Sequence, residues 1–167
     1  MRISDLPANP TVLVANLPYN VSVPVLLRFL ELFPSIKSGV VMVQSEVADR
    51  LIAKPDTKEY GAPSAKANWW AELSSGGTVS RSIFWPVPNV DSSLVKFLRH
   101  AEPGDENLRK KTFEIIDQSF AKRRKMLRAA LNGLVSESEI ESAGIDPRVR
   151  GEVLELSEFI KIAKILK

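Results

Sequence analysis

The chain contains no cysteine and only one histidine, His100. The absence of cysteine excludes disulfides and thiolate metal sites, and a single imidazole cannot build a histidine-rich metal centre. We therefore expect no metal site. We predict that His100 is a surface residue at the end of a strand.

Long apolar segments are also missing. No stretch approaches the roughly 20 apolar residues that span a bilayer, and residues 1–5 lack the charged and apolar parts of a signal peptide. We therefore predict a cytoplasmic, monomeric protein that does not contact membranes. Its 167 residues, 44% of them hydrophobic, suffice for one domain or two small ones. The net charge of +3 permits a nucleic-acid partner without requiring one.

The most informative motif present is Asn16-Leu17-Pro18-Tyr19, directly after the apolar run 12–15. The run predicts a strand buried on both faces, and ligands of open α/β sheets bind beyond the carboxyl ends of such strands. Asn16 and the Leu17 carbonyl can accept both hydrogens of an exocyclic base amine, which directs its lone pair towards a methyl donor. Pro18 stiffens the loop, and Tyr19 offers a face for a flipped-out base. The alternative is a simple strand-to-helix turn.

A second motif follows a strand-like run further along the chain. Phe84-Trp85-Pro86-Val87-Pro88-Asn89-Val90-Asp91-Ser92 has two prolines at alternate positions, which predicts a stiff extended loop. Phe84 by itself is an ordinary candidate for the end of a core strand. Trp69 and Trp70 are interpreted as packing residues on a helix that covers the sheet.

Together these motifs resemble the KsgA family of ribosomal RNA adenine dimethyltransferases, relatives of the erythromycin-resistance methylases. Every fixed position of the family's Asn-Leu-Pro-Tyr and Phe-x-Pro-x-Pro-x-Val-x-Ser patterns is present. The resemblance extends over nearly the whole chain, through residues 44–51, 54–55, 60–61, 119–128, 150–152 and 156–159.

The resemblance implies dimethylation of adenine N6 in small-subunit ribosomal RNA, with S-adenosylmethionine as cofactor and an immature small ribosomal subunit as partner. It implies that Asn16 and Leu17 orient the amine, while Tyr19 and Phe84 clamp the base by stacking. Asn16 would also contact the cofactor. No covalent enzyme intermediate and no strong general base are required for this transfer.

The family's cofactor-binding βαβ half has no counterpart here. Only fifteen residues precede Asn16, and no glycine-rich turn lies among them. Asp5 lies close to Pro7 and Pro10 and at the wrong spacing for the family's adenine-binding aspartate, so we interpret it as a solvated loop acid. The predicted fold class is thus the distal part of a Rossmann-like α/β methyltransferase sheet followed by a small all-α domain. Such a chain is expected to bind S-adenosylmethionine weakly or not at all.

Composition and periodicity divide the chain near residues 100–105 and make the second part helical. The resemblance implies that residues 1–102 are the C-terminal part of a catalytic domain and that residues 103–167 form a helical RNA-contacting domain. In the first part we predict strands at 12–15, 40–43, 78–84 and 94–98, the last two antiparallel, and helices at 22–33, 45–53 and 63–73. In the second part we predict only helices, one of them opened by a basic run and others at 137–143 and near the end of the chain.

The basic run is the main candidate for RNA binding in the helical part. Lys122, Arg123, Arg124, Lys125 and Arg128 are five cations in seven residues. Clustering them at the start of a helix is unfavourable with the helix dipole, so we infer an anionic partner such as a phosphate backbone. Lys122 stands where the family often has an uncharged residue. Arg50 and Lys54 fit an RNA-facing edge and surface salt bridges equally well.

Two other functions are compatible with the sequence. A chain without the cofactor half could serve as a non-catalytic RNA-binding or ribosome-binding module. A DNA amino-methyltransferase agrees less well, because the segment after Pro103 resembles the ribosomal RNA family.

Overall fold

The structure is a computed structural model that describes residues 9–166. The chain forms two compact units. Unit 1 contains the described residues up to Ile52 together with Trp70–Ala101. Unit 2 contains Ala53–Trp69 together with the described chain from Glu102 onward. Asp5 lies outside the described residues.

Unit 1 is built on a four-stranded sheet in the order β1-β2-β4-β3. The strands are β1 (Val12–Asn16), β2 (Ser38–Gln44), β3 (Ala71–Val79) and β4 (Ser92–Arg99). β1 and β2 are parallel, whereas β4 is antiparallel to both β2 and β3. Helix α1 (Ser22–Leu32) connects the parallel pair, and α2 (Ser45–Ile52) follows β2 directly. The predicted antiparallel pairing of the last two strands is confirmed.

One face of this sheet is buried. Val41, Val43, Val95 and Phe97 are at most 3% exposed, and α2 packs against β2, β3 and β4. Gly39 is required on this face, since a Cβ there would lie 2.5 Å from the Phe97 ring.

The opposite face of the sheet is open. Val12, Val14 and Leu98 are 56%, 78% and 63% exposed, and with Val40 and Lys96 they line a groove of about 490 Å³. The prediction that residues 12–15 are buried on both faces is therefore wrong for the described chain, because no described element covers this side of β1.

Unit 2 is helical. It contains α3 (Ala62–Ala67), α4 (Glu106–Ala121), α5 (Leu127–Ala130), α6 (Glu137–Ser142) and α7 (Leu156–Ile165). Asp105 caps α4 by accepting the Leu108 N–H at 2.8 Å. Gly144, with φ of +77°, follows α6, in a conformation that favours glycine. Along the described chain, no helix is both long and apolar enough to cross a membrane.

The core of unit 2 includes residues from the segment that precedes β3. The Tyr60 hydroxyl, fully buried, donates to the Leu154 carbonyl at 2.9 Å. Burial, together with the nearby carboxylates Glu155 and Glu158, raises the pKa of this hydroxyl above its ordinary value. The segment Ala53–Trp69 therefore belongs to unit 2, although it was predicted to lie in the part that ends at residue 102.

Two predicted elements differ in the structure. The helix expected at 63–73 ends at Ala67, so Trp69 and Trp70 lie in the turn before β3, although both are buried as expected. The strand expected at 78–84 is instead β3, which starts at Ala71, ends at Val79 and has a bulge near Gly77. Pairing with β4 overrides the weak strand propensity of residues 74–77.

Candidate functional site

Asn16 is the last residue of β1 and is exposed. The next residue, Leu17, is buried, and its N–H donates to the Met42 carbonyl at 3.1 Å. This bond fixes the loop to the neighbouring strand where β1 ends. Among the described residues the Asn16 amide has no hydrogen-bond partner, so both its oxygen and its NH₂ group are free to hydrogen-bond to a ligand.

Pro18 and Tyr19 carry the chain from β1 into α1. Pro18 has φ of −59° and ψ of 130°, and its carbonyl accepts the Val21 N–H at 3.2 Å. The buried Ser22 hydroxyl donates to the Tyr19 carbonyl at 3.2 Å. The backbone of the loop is therefore held at both ends.

A hydrogen bond joins the two sequence motifs. The Tyr19 hydroxyl and the Ser92 Oγ are 2.8 Å apart. Ser92 is fully buried, the first residue of β4 and the last fixed position of the second motif. Because the phenol is anchored at its tip, the half-buried ring of Tyr19 is held in one orientation.

The proline-rich loop between β3 and β4 is closed at its base by Arg81. Its N–H donates to the Asp91 carboxylate at 2.9 Å, and its guanidinium donates to the Asn89 carbonyl at 3.1 Å. The Asp91 carbonyl in turn accepts the Ser45 N–H at 3.1 Å. These bonds hold the loop against the start of α2.

A cavity of about 690 Å³ lies beside this closed base. It is lined by Gln44, Ser45, Glu46, Thr78, Val79, Ser80, Arg81, Asn89, Val90 and Asp91. Its size falls within the range of about 300–1,000 Å³ that is usual for small-ligand pockets. The polar side chains among these residues offer hydrogen bonds to a ligand, beside apolar surface.

Phe84 is half-buried and follows a short 3₁₀ turn, Arg81–Ile83. It therefore lies in the loop and not at the end of a core strand. The rings of Phe84 and Tyr19, both within the described chain, are not in contact with each other. Their pairing across a base stays a prediction.

His100 and Arg50 were also singled out in the sequence, and the structure shows the surroundings of both. His100 is exposed immediately after β4, as expected. Arg50 pairs with Glu46 on α2, in agreement with the salt-bridge interpretation. In the described part of the chain, no cluster of three or more histidine or carboxylate residues could hold a metal ion.

The basic run of unit 2 does not open a helix. α4 ends at Ala121, and residues 122–125 form a turn. Met126 makes an antiparallel bridge with Arg150, and the Leu127 N–H donates to the Val149 carbonyl at 2.8 Å. Because of these tertiary contacts, α5 begins only at Leu127. Lys122–Lys125 therefore do not lie at the start of a helix, and the prediction that the helix dipole disfavours their clustering does not apply to them.

Arg123 is engaged by the protein itself. Its guanidinium donates to Glu152 at 2.7 Å and to the Lys58 carbonyl at 2.7 Å. The Asp56 N–H also donates to the Glu152 carbonyl at 2.9 Å. Arg123 therefore ties the basic turn to two other segments of unit 2, a role that the sequence did not predict.

The other four cations fall into two groups. Lys122 donates to the Ala130 carbonyl at 3.3 Å, and Arg128 pairs with Glu137 at 3.4 Å. Arg124 and Lys125 are exposed and form no ion pair or hydrogen bond through their side chains within residues 9–166. These two are the most available to a polyanion.

The fold is shared with solved methyltransferases. A crystal structure of a dimethyladenosine transferase from Plasmodium falciparum matches with a TM-score of 0.79 and 21% identity, over 94% of this chain and 66% of that one. The crystal structure of the 23S rRNA methyltransferase ErmE matches with a TM-score of 0.68 and 21% identity, over 96% of this chain and 67% of that one. The sheet and helices thus form the partial Rossmann-like fold that the sequence predicts.

Sequence comparison defines the family. A family model described as ribosomal RNA adenine dimethylase matches residues 3–167. Proteins named ribosomal RNA small subunit methyltransferase A match over 98% of this chain, at 55% identity in Leifsonia xyli and 51% in Thermobifida fusca. The chain belongs to the ribosomal RNA adenine dimethylase family. It spans about 60% of the length of these relatives.

Sequence patterns did not reveal the residues that hold the site together. Ser92 was recognised only as a motif position, whereas Arg81 and Asp91 were not recognised as the base of the loop. Each acts through hydrogen bonds to residues distant in sequence, which periodicity and motif spacing do not predict.

Proposed function

We propose that this chain forms the target-base half of an S-adenosylmethionine-dependent enzyme that dimethylates adenine N6 in small-subunit ribosomal RNA. The observation that carries the proposal is the unpaired, exposed amide of Asn16 at the end of β1, followed within three residues by the anchored ring of Tyr19. Membership of the ribosomal RNA adenine dimethylase family supports it.

In the proposed reaction, Asn16 and the Leu17 carbonyl accept the two hydrogens of the adenine amine. This pulls the nitrogen lone pair out of the ring and orients it for attack. Tyr19 and Phe84 hold the flipped-out base by stacking. Pro18 keeps the acceptors in place, and the amine loses its proton after transfer, when the nitrogen has become acidic.

The cofactor requires residues that this chain supplies only in part. S-adenosylmethionine would provide the methyl group, and Asn16 would form one edge of its site. Within the described residues no glycine-rich turn precedes β1, and the open sheet face beside Val12 and Val14 supports docking of a further segment there. We therefore propose that the chain alone binds the cofactor weakly or not at all, which calorimetry tests directly.

The proposed partner is an immature small ribosomal subunit in the cytoplasm, contacted by a monomeric enzyme. The exposed Arg124 and Lys125 are the proposed phosphate contacts of unit 2, and the role of Lys122 and Arg128 is secondary, because both are engaged by unit 2. The main competing function is a non-catalytic RNA-binding module, which would need the same cations but not Asn16.

The decisive experiment uses a full-length protein in which this chain is joined to a Rossmann-type cofactor-binding half. Asn16→Ala is expected to lower turnover about 10²- to 10³-fold, since it removes a preorganised polar group at the reacting centre. Methyl transfer to ribosomal RNA is measured at saturating cofactor.

Asn20→Ala is the matched control, because Asn20 is an exposed asparagine four residues away. It is expected to leave turnover unchanged. Equal activity of Asn16→Ala and the wild type would exclude the proposed catalytic role and favour the non-catalytic module.

RNA binding is tested separately on the chain itself. Arg124→Ala and Lys125→Ala are each expected to lower RNA affinity and to reduce the slope of log K against log salt by about 0.7–0.9 for every phosphate that is no longer neutralised. Lys161→Ala, which removes an exposed charge from α7, is the matched control. Arg123→Ala should instead lower the stability of unit 2, since it breaks the pair with Glu152. Unchanged affinity and salt slope in Arg124→Ala and Lys125→Ala would contradict the proposal.

A further inference from the structure

Trp85 is the most exposed of the large hydrophobic residues in the described chain. Its exposed fraction is 94%, whereas Trp69 and Trp70 are 0% and 2% exposed. Two loop neighbours, Ile83 and Val87, are 70% and 54% exposed. The loop that carries the second motif therefore presents an apolar tip to solvent, at a cost in hydration that a folded protein seldom accepts without a binding partner.

The exposed indole lies on a loop that is closed beneath it. Arg81 and Asn89, which flank Trp85 in sequence, are joined by the guanidinium-to-carbonyl bond of 3.1 Å, and two prolines restrict the residues between them. An aromatic side chain on a restrained loop loses little conformational entropy when it binds a flat partner.

The side chains of Phe84 and Trp85 point in different directions. The backbone of Phe84 is extended, with φ of −101° and ψ of 149°, and successive side chains of an extended chain point to opposite sides. Phe84 is half-buried and Trp85 points to solvent. One base therefore cannot use both rings.

The charge of the loop suits a nucleotide better than an apolar peptide. Arg81 is exposed, and its guanidinium forms no ion pair in the described part of the chain. The Asp91 carboxylate accepts the Arg81 backbone N–H and not the guanidinium. An exposed aromatic ring on the same loop as an exposed cation is a combination that binds single-stranded nucleic acid.

We propose that Trp85 stacks on an unpaired RNA base adjacent to the target adenine. This rests on the proposed function, because it assigns the neighbouring nucleotide of the same substrate. It adds to Tyr19 and Phe84 a further aromatic contact that is independent of Asn16 and of the cofactor, so the chain itself can be used to test it.

The experiment measures tryptophan fluorescence while an unstructured, adenine-containing RNA oligonucleotide is titrated into the chain. Because the other two tryptophans are buried, quenching by iodide reports Trp85. RNA is expected to quench the emission and protect Trp85 from iodide. A fully double-stranded RNA should do neither, because its bases are stacked on each other.

Trp85→Ala is expected to weaken single-stranded RNA binding about 5- to 150-fold, which corresponds to the usual range for removal of one stacked aromatic ring. Trp85→Phe should restore most of the affinity, since a π face is retained. Val87→Ala, which trims another exposed apolar residue of the same loop, should bind as the wild type does.

The outcomes separate this inference from the proposed function. If Arg124→Ala weakens RNA binding while Trp85→Ala does not, the stacking role is wrong and the RNA-binding function stands. If Trp85→Ala weakens binding to single-stranded and double-stranded RNA equally, base stacking is also refuted. Absence of any RNA binding by a correctly folded wild-type chain would overturn both proposals.

Discussion

The two units differ in how they bury apolar side chains. In unit 2, Tyr60, Ile115, Ile116, Leu127 and Phe159 form part of one cluster and are each at most 1% exposed. In unit 1, one sheet face is buried to the same degree, whereas Val12, Val14 and Leu98 of the other face are more than half exposed. The helical unit is closed on itself, and the sheet unit is covered on one side.

This difference distinguishes a unit whose apolar side chains are buried in one cluster from a unit whose sheet has one open face within the described residues. A sheet of the α/β class normally has both faces covered, because its apolar residues lie on both sides. The share of the relatives' length that this chain does not span is available for such a covering segment. The open face thus favours our proposal that unit 1 functions within a longer protein.

The largest effect is expected in the closed unit. Phe159→Ala should lower the free energy of unfolding of unit 2 by about 3–5 kcal/mol, because it leaves a cavity in a core that has no access to solvent. Urea denaturation followed by circular dichroism measures the loss. The matched variant Leu98→Ala, on the open face of unit 1, should lower the free energy of unfolding far less. Equal losses in the two variants would show that the two units do not differ in how they bury apolar side chains.

An intermediate effect is expected at the hydrogen bond that joins the two motifs of unit 1. Tyr19→Phe leaves the fully buried Ser92 hydroxyl without its partner, which should cost about 1–3 kcal/mol of unfolding free energy. Ser92→Ala should cost less, because Tyr19 is only half-buried whereas Ser92 is fully buried. The double variant should lose less than the sum of the two, as expected for residues in direct contact. Strictly additive losses would show that the bond contributes nothing.

Substitutions at Tyr19 also test its proposed role in stacking on the base. Tyr19→Phe keeps the stacking face but frees the ring to reorient, so turnover in the full-length protein should fall less than in Tyr19→Ala. Equal damage by the two substitutions, with folding intact, would mean that the hydroxyl is essential and that stacking is not the main role of this residue.

Much of the fold of unit 1 could be predicted because local and tertiary signals agree there. Ser22 and Pro24 mark the start of α1, and the apolar runs at 12–15 and 40–43 lie in β1 and β2. The predictions failed where tertiary pairing opposes local preference. Residues 74–77 are two serines and two glycines, poor strand formers, yet pairing with β4 keeps them within β3, with a bulge near Gly77.

In the candidate site, only residues that lie within sequence motifs could be predicted. Asn16 and Tyr19 could be proposed as site residues because their residue types suit the chemistry at the end of a strand. The division of the basic run could not be found in this way. Arg123 and Arg124 are adjacent and chemically identical, and the positions of Glu152 and the Lys58 carbonyl make one a structural residue and leave the other exposed.

The smallest effect is expected on the open face itself. Val14→Ser replaces a side chain that is 78% exposed in the edge strand β1. Surface substitutions of this kind usually change stability by no more than about 0.5 kcal/mol. In the chain alone, urea denaturation should therefore show no measurable loss, and the variant should bind less of a hydrophobic dye such as ANS. In the full-length protein the same substitution should cost more, because Val14 would then lie in a buried contact. A large loss in the isolated chain would mean that β1 is already covered there, and an equally small loss in the full-length protein would mean that nothing docks on this face.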